Sequence, residues 1–239
     1  MRIAPIVRKG LSSYFNSPIA YIVVAGYLVF TTVAFFFLNQ FLVHDEASLR
    51  LYFSTVPTVF IFLIPALTMR SWAEERKSGT LELLLTLPFK EHEVVIGKFI
   101  GASALILVMM VLSLPLPLSL SPLGRFDAGQ VMSQYIGTLF LGACGVSLGL
   151  LISSISLNQI SAYIFCGIAL FGLTWVDKLG QIMNLPRWLS SVIGWISFSP
   201  HFDSFNKGIL DSRDIAFYAV LSALFLFANA QVLVRRKWS

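Results

Sequence analysis

Met69-Arg70-Ser71-Trp72-Ala73-Glu74-Glu75-Arg76-Lys77-Ser78-Gly79-Thr80-Leu81-Glu82-Leu83-Leu84-Leu85-Thr86-Leu87-Pro88 is the one substantial charged stretch between long apolar runs. The runs on both sides are long enough to cross a bilayer, so this stretch has to emerge from it. Arg70, Arg76 and Lys77, with Lys90 and Lys98 beyond, put a Lys/Arg excess close to span ends, the mark of a cytoplasmic loop. Gly79 breaks the emerging helix. A second short helix can run from Thr80 to Thr86, with Leu81, Leu84 and Leu85 on one face and Pro88 past its end. That apolar face needs cover, from the bilayer surface or from a groove on a soluble partner.

Composition agrees with a membrane setting. Of 239 residues, 56% are hydrophobic and 12% charged, and the mean hydropathy is +0.79. Soluble chains carry roughly 25% charged residues. The net charge of +5 sits at span ends, where it orients the chain, so nucleic acid is not an expected partner. Cys144 and Cys166 lie inside apolar runs, the usual place for an inert thiol, without metal or disulfide spacing. The first apolar run is longer than a signal-peptide core. Gln40, Asp45 and Glu46 follow it in place of a small-residue cleavage site, so the first span is expected to be retained.

Six spans are expected, at about 19–42, 51–69, 94–118, 131–155, 160–176 and 215–234. Pro57 and Pro65 should kink the second or sit near its ends. Residues 1–18 divide into an apolar side (Ile3, Ile6, Val7, Leu11, Tyr14, Phe15) and a basic-polar side with Arg2, Arg8 and Lys9. That division describes an interfacial helix; the alternative is a plain basic leader. In span 4, Gly145 and Gly149 form a small-xxx-small pair that allows close helix packing, within the chain or against a second copy. The segment 177–214 is external. Its apolar middle, 185–198, is too short to cross, and Trp188, Val192 and Trp195 share a helical face. It reads as a re-entrant or interfacial helix. A seventh span would put Arg235-Arg236-Lys237 outside, against the positive-inside rule. With both termini cytoplasmic, eleven of the 17 Lys and Arg fall inside and six outside. The whole of 1–239 reads as one transmembrane domain, with residues 70–93 as its cytoplasmic segment.

The run from Glu75 to Pro88 resembles the signature that follows the second span in ABC transporter type-2 permeases. A second run, Ser199-Pro200-His201-Phe202-Asp203-Ser204-Phe205-Asn206-Lys207-Gly208-Ile209-Leu210-Asp211-Ser212-Arg213-Asp214, resembles the segment before the last span in their gliding-motility and nitrous-oxide-reductase-maturation branch. The resemblance implies an all-α permease of six transmembrane helices in a bacterial cytoplasmic (inner) membrane. Its coupling helix would dock on a separate ABC ATPase subunit, which binds the ATP and Mg²⁺. The contact would be made by Glu75, Gly79, Thr80, Leu81, Glu82, Leu84 and Leu85, the two glutamates flanking the apolar face. Two permeases, identical or related, would pair among the membrane lipids.

The chain itself offers no catalytic chemistry. It has no G-x-x-x-x-G-K-[ST] phosphate loop, so ATP hydrolysis by that route needs another subunit. His92-Glu93 starts like a zinc-protease helix, but Ile96 stands where the second histidine belongs. No G-x-S-x-G elbow occurs, and no cofactor of its own is expected. The span interiors offer mainly Ser, Thr, Asn and Gly. Scarce midplane charge argues against an ATP-independent channel or secondary transporter, and suits an exporter of amphiphiles. It also suits a subunit that relays ATPase motion through 177–214 to an external cell-envelope protein.

Overall fold

The computed structural model describes residues 7, 10–12, 14–38, 48–80, 91–120, 126–182 and 186–237. All regular structure among them is helical. The elements are α1 (Pro18–Val33), a π-helical turn (Ala34–Leu38), α2 (Arg50–Thr68), α3 (Arg70–Lys77), α4 (Glu91–Ser113), α5 (Pro115–Leu120), α6 (Ala128–Ile155), α7 (Gln159–Ile182), α8 (Arg187–Ile196), α9 (Phe198–Asn206) and α10 (Ser212–Lys237). Six stretches are long and apolar enough to span a bilayer: Pro18–Phe37, Arg50–Lys77, Glu91–Leu120, Ala128–Ile155, Gln159–Gly180 and Ser212–Arg235. The protein is an all-helical, multi-pass membrane protein.

The helix of span 2 carries on past Met69, as expected of an emerging helix that Gly79 breaks, whereas span 5 departs from its expected end. Span 2 steps at Met69, whose N–H bonds the Pro65 carbonyl at 2.9 Å, and continues as α3, because Arg, Glu and Lys are good helix formers. Pro57 and Pro65 both lie inside α2. Span 5 runs on to Ile182, so Asp177 and Lys178 belong to its last turns. Lys178 lies over the Trp175 ring, 4.5 Å from its centroid, which holds the amine beside its own helix.

Helix α6 is the axis of the bundle. It is the most deeply buried span and packs on α2, α4, α7, α9 and, most extensively, α10. Its glycines explain that position. A Cβ on Gly142 would come within 2.7 Å of Ile106, on Gly145 within 2.5 Å of Ile64, and on Gly149 within 2.2 Å of the Thr68 hydroxyl. Small residues let neighbouring backbones approach, and dispersion then holds the helices where no water drives them together. Three of the buried hydroxyls of α6 are satisfied locally. Thr138, Ser147 and Ser154 bond carbonyls of their own helix at 2.7–2.9 Å, which keeps unpaired donors out of lipid.

The bundle has two distinct ends. One carries α3 and the start of α4, with Arg70, Arg76, Lys77 and Lys98; we term it the basic end. The other carries α8 and α9 and is the cap end. Of the proposed interfacial segment 1–18, residues 7, 10–12, 14 and 15 are helical, and Pro18 already begins α1. This segment crosses α4 at its small residues: a Cβ on Gly101 would lie 3.5 Å from the Gly10 carbonyl carbon.

Candidate functional site

At the basic end, α3 is built to be gripped. Its buried side is Trp72 and Ala73, each 1% exposed, and Arg76 follows one turn after Trp72. Helical spacing puts Trp72 and Arg76 on one face. That face meets the end of α6. The Arg76 guanidinium donates to the Ser154 carbonyl at 2.6 Å and to the Ser156 carbonyl. These are orphan acceptors of a helix C-terminus, where the partial charge of the helix favours a cation. The Trp72 backbone N–H donates to the Ser153 hydroxyl at 3.2 Å, and that hydroxyl donates on to the Met69 carbonyl at 3.2 Å.

A second cation grips the other side. Lys98 of α4 pairs with the Glu75 carboxylate at 2.8 Å, donates to the Ser71 carbonyl and lies 4.1 Å from the Trp72 ring centroid. One ammonium so engages three groups of α3. Tyr14, from the N-terminal segment, completes the joint with a 2.9 Å bond to the Ser71 hydroxyl. Burial, the largest influence, pushes the Tyr14 phenol up to about 12, so it keeps its proton at neutral pH.

The grip ends at Gly79. Its φ of +70° is the left-handed conformation that stops helices, and a residue with a Cβ adopts it at a cost. Thr80 turns back, its hydroxyl bonding the Glu75 carbonyl at 3.3 Å and the Ser78 hydroxyl at 2.8 Å. The structure therefore brings Glu75, Gly79 and Thr80 together at the exposed end of α3. Leu81, Glu82, Leu84 and Leu85 lie outside the described residues. Gly145 and Gly149 face Ile64 and Thr68 of α2 within the chain. Trp188 and Trp195 sit on α8, each about 70% exposed (70% and 69%), with half-exposed Val192 between them.

Sequence reading passed over the roles of Trp72, Arg76, Lys98 and Tyr14. For Lys98 a signal was there: a lone cation inside an otherwise uncharged span demands a partner, and Glu75 is the acid at the matching depth. Arg76 was legible only as a topological charge. Its acceptors are backbone carbonyls, about eighty residues away, which leave no trace in residue types.

The cap end is polar by other means. Gln134 donates to the Asn206 carbonyl and side-chain oxygen at 3.1 and 3.0 Å, Gln130 to the same carbonyl at 3.0 Å, and Asn206 to the Arg50 carbonyl at 3.2 Å. A cavity of about 480 Å³ opens between α2, α7 and α9, with Ser54, Thr58, Lys178, Asp203, Ser204 and Lys207 in its walls. Lys207 pairs with Asp203 at 3.2 Å. Among the described residues, no cluster of His, Cys, Asp or Glu could hold a metal ion.

Comparison with known proteins matches residues 34–187 to the ABC-2 family transporter protein family. The chain is also 28% identical, over 192 residues, to the probable multidrug ABC transporter permease YbhR of Escherichia coli K12, and equally to its counterpart in E. coli O157:H7. The aligned part is 76% of this chain and 50% of each relative, so the chain spans about half the length of the curated relatives it matches. Neither match selects the gliding-motility branch. With more than half its length inside the family match, six spanning helices, and the signature stretch beginning where span 2 leaves the bundle, this chain belongs to the ABC-2 family of transporter proteins.

Proposed function

We propose that the chain is the permease subunit of an export-type ABC transporter. A separate ABC ATPase subunit binds ATP and Mg²⁺ and docks on the segment from Glu75 to Leu85, with Leu81, Leu84 and Leu85 as its apolar anchor and Glu75 and Glu82 at the rim. The basic end faces the cytoplasm, both termini lie on that side of a bacterial inner membrane, and two permeases, identical or related, pair in the bilayer. The relatives are named as probable multidrug permeases, and hydroxyl-rich, uncharged span interiors fit an amphiphilic cargo of that kind.

One observation carries this reading: the docking stretch begins in α3, which is the direct helical continuation of span 2. Through Arg76 it holds the end of α6, and through Lys98 it holds α4. A push on α3 therefore moves three spans together. The reading is tested by affinity purification of the detergent-solubilised chain with mass spectrometry and an ATPase assay. An ATPase that co-purifies, and whose stimulation is lost in Leu84→Asp while the protein stays in the membrane, is the expected result. A chain that purifies alone, without ATPase activity under mild conditions, overturns it in favour of a channel or secondary transporter.

A further inference from the structure

The run from Ser199 to Asp214 has a role that the coupling site leaves unexplained, and its third and last residues meet. The His201 ring bonds the Asp214 carboxylate through Nδ1 at 2.6 Å. Its Nε2 faces the Trp195 carbonyl at 3.3 Å. Its face stacks on Phe217 with centroids 3.9 Å apart and planes at 18°. One imidazole thus joins three elements: α8 through Trp195, α9 on which it sits, and the first turns of α10.

Both nitrogens face acceptors. Neutral imidazole carries one N–H and can donate to only one of them; the imidazolium donates to both. Asp214 supplies a negative charge, the Trp195 carbonyl is an orphan acceptor at the C-terminus of α8, and Phe217 offers its π-face. Asp177 of α7 approaches the same end of α8, its carboxylate 3.8 Å from where a Cβ on Gly194 would lie. On α9 itself, Asp203 is paired with Lys207, and the N-terminus of that helix opposes the charge. From α10, the Tyr218 hydroxyl is engaged with the Phe198 carbonyl, and Asp211 caps the Arg213 N–H.

We propose that His201 is a proton-operated clasp: its doubly protonated ring ties α8 to the last span, and loss of one proton frees α8. In the neutral state Nδ1–H keeps Asp214, and the bare Nε2 lone pair faces a carbonyl oxygen. The contact with α8 then turns from attractive to repulsive. Because α8 carries exposed Trp188, Val192 and Trp195 on one face, the clasp sets the position of an aromatic surface at the cap end. It acts through loss of that proton and depends on no ATPase partner.

The test uses the full chain in detergent. Ring-nitrogen NMR of ¹⁵N-histidine-labelled protein follows His201 from about pH 5 to about pH 9, with His201→Gln identifying its signal. Hydrogen exchange of residues 187–196 is measured across the same range in wild type and variant, and their ratio at each pH cancels the intrinsic rate. The expected result is a ratio that changes roughly threefold or more, with a midpoint that coincides with the ring titration. A ratio that stays flat through the titration overturns the proposal. Asp214→Asn keeps the ring and removes its carboxylate, so it guards against a folding defect at His201→Gln. The α8 profile of this second variant should depart from that of wild type, and an unchanged profile likewise overturns the proposal.

Discussion

At the basic end, two long cationic side chains reach across helices to carbonyls and a carboxylate: Arg76 to Ser154 and Ser156, Lys98 to Ser71 and Glu75. At the cap end, short amides of Gln130, Gln134 and Asn206 bond one another and the Arg50 carbonyl. The chemistry suits different duties. A guanidinium on a flexible stem can follow its acceptors through a displacement and keep its bonds. A carboxamide on the shorter stem of Asn or Gln, with two or three torsions, has less reach to follow a moving acceptor. The basic end is therefore suited to serve as a joint, and the amide network that holds α9 at the cap end is suited to serve as a fixture.

The hardest test of that contrast is steric. Gly149 at the basic end and Gly137 at the cap end are both overfilled by a single carbon, which would lie 2.2 Å from the Thr68 hydroxyl and 2.5 Å from the Phe205 Cβ, respectively. Gly149→Leu and Gly137→Leu should each cost on the order of 3 kcal/mol or more, seen as loss of monodisperse protein and a lowered thermal midpoint in detergent. A mild Gly137 variant would show the cap to be the softer end.

Arg76→Ala should remove charge-assisted bonds of about 1.5–3 kcal/mol and, with the ATPase bound, uncouple hydrolysis from transport. Arg76→Lys should recover stability better than coupling, since an ammonium lacks the rigid planar fork that fixes two carbonyls in one geometry. Equal recovery of both would remove the transmission role. Asn206→Ala leaves buried Gln134 short of an acceptor and should cost about 1–3 kcal/mol, lowering the thermal midpoint. Coupled turnover per folded molecule should not change; if it falls, the cap is more than a fixture. The smallest effect belongs to Gly79→Ala. Nothing lies within 4 Å of the added carbon, so the cost is conformational alone, about 1 kcal/mol, and should show as local fraying of α3 by hydrogen exchange.

Most of the fold was legible because hydropathy and charge asymmetry act along the chain. Six apolar runs, the Gly79 stop and the glycine stripe of α6 all have local signatures. The ends were less legible. The step at Met69 has no local signature, although the helix that emerges there was expected to run on to Gly79. Asp177 and Lys178 read as the start of the external segment because charge marks a span end, whereas they lie in the last turns of α7. The joint itself depends on carbonyls of Ser154 and Ser156, which every residue possesses, so only the folded geometry distinguishes them. The His201–Asp214 pair was in view as a motif, but its third partner is again a backbone oxygen.

One feature of α2 bears on how this molecule can work as a machine. Pro65 has no N–H to give the Ile61 carbonyl, four residues before the step at Met69. Gly167 of α7 lies against that carbonyl, a Cβ there being 3.8 Å from its oxygen. The span so carries a compliant link just above its stiff, doubly gripped tip. A stroke applied at α3 would be divided there, part bending the link and part travelling up the rod. Stiffening the link, by giving position 65 a residue that restores the missing bond, would alter the gearing between stroke and response while leaving every contact at the tip in place.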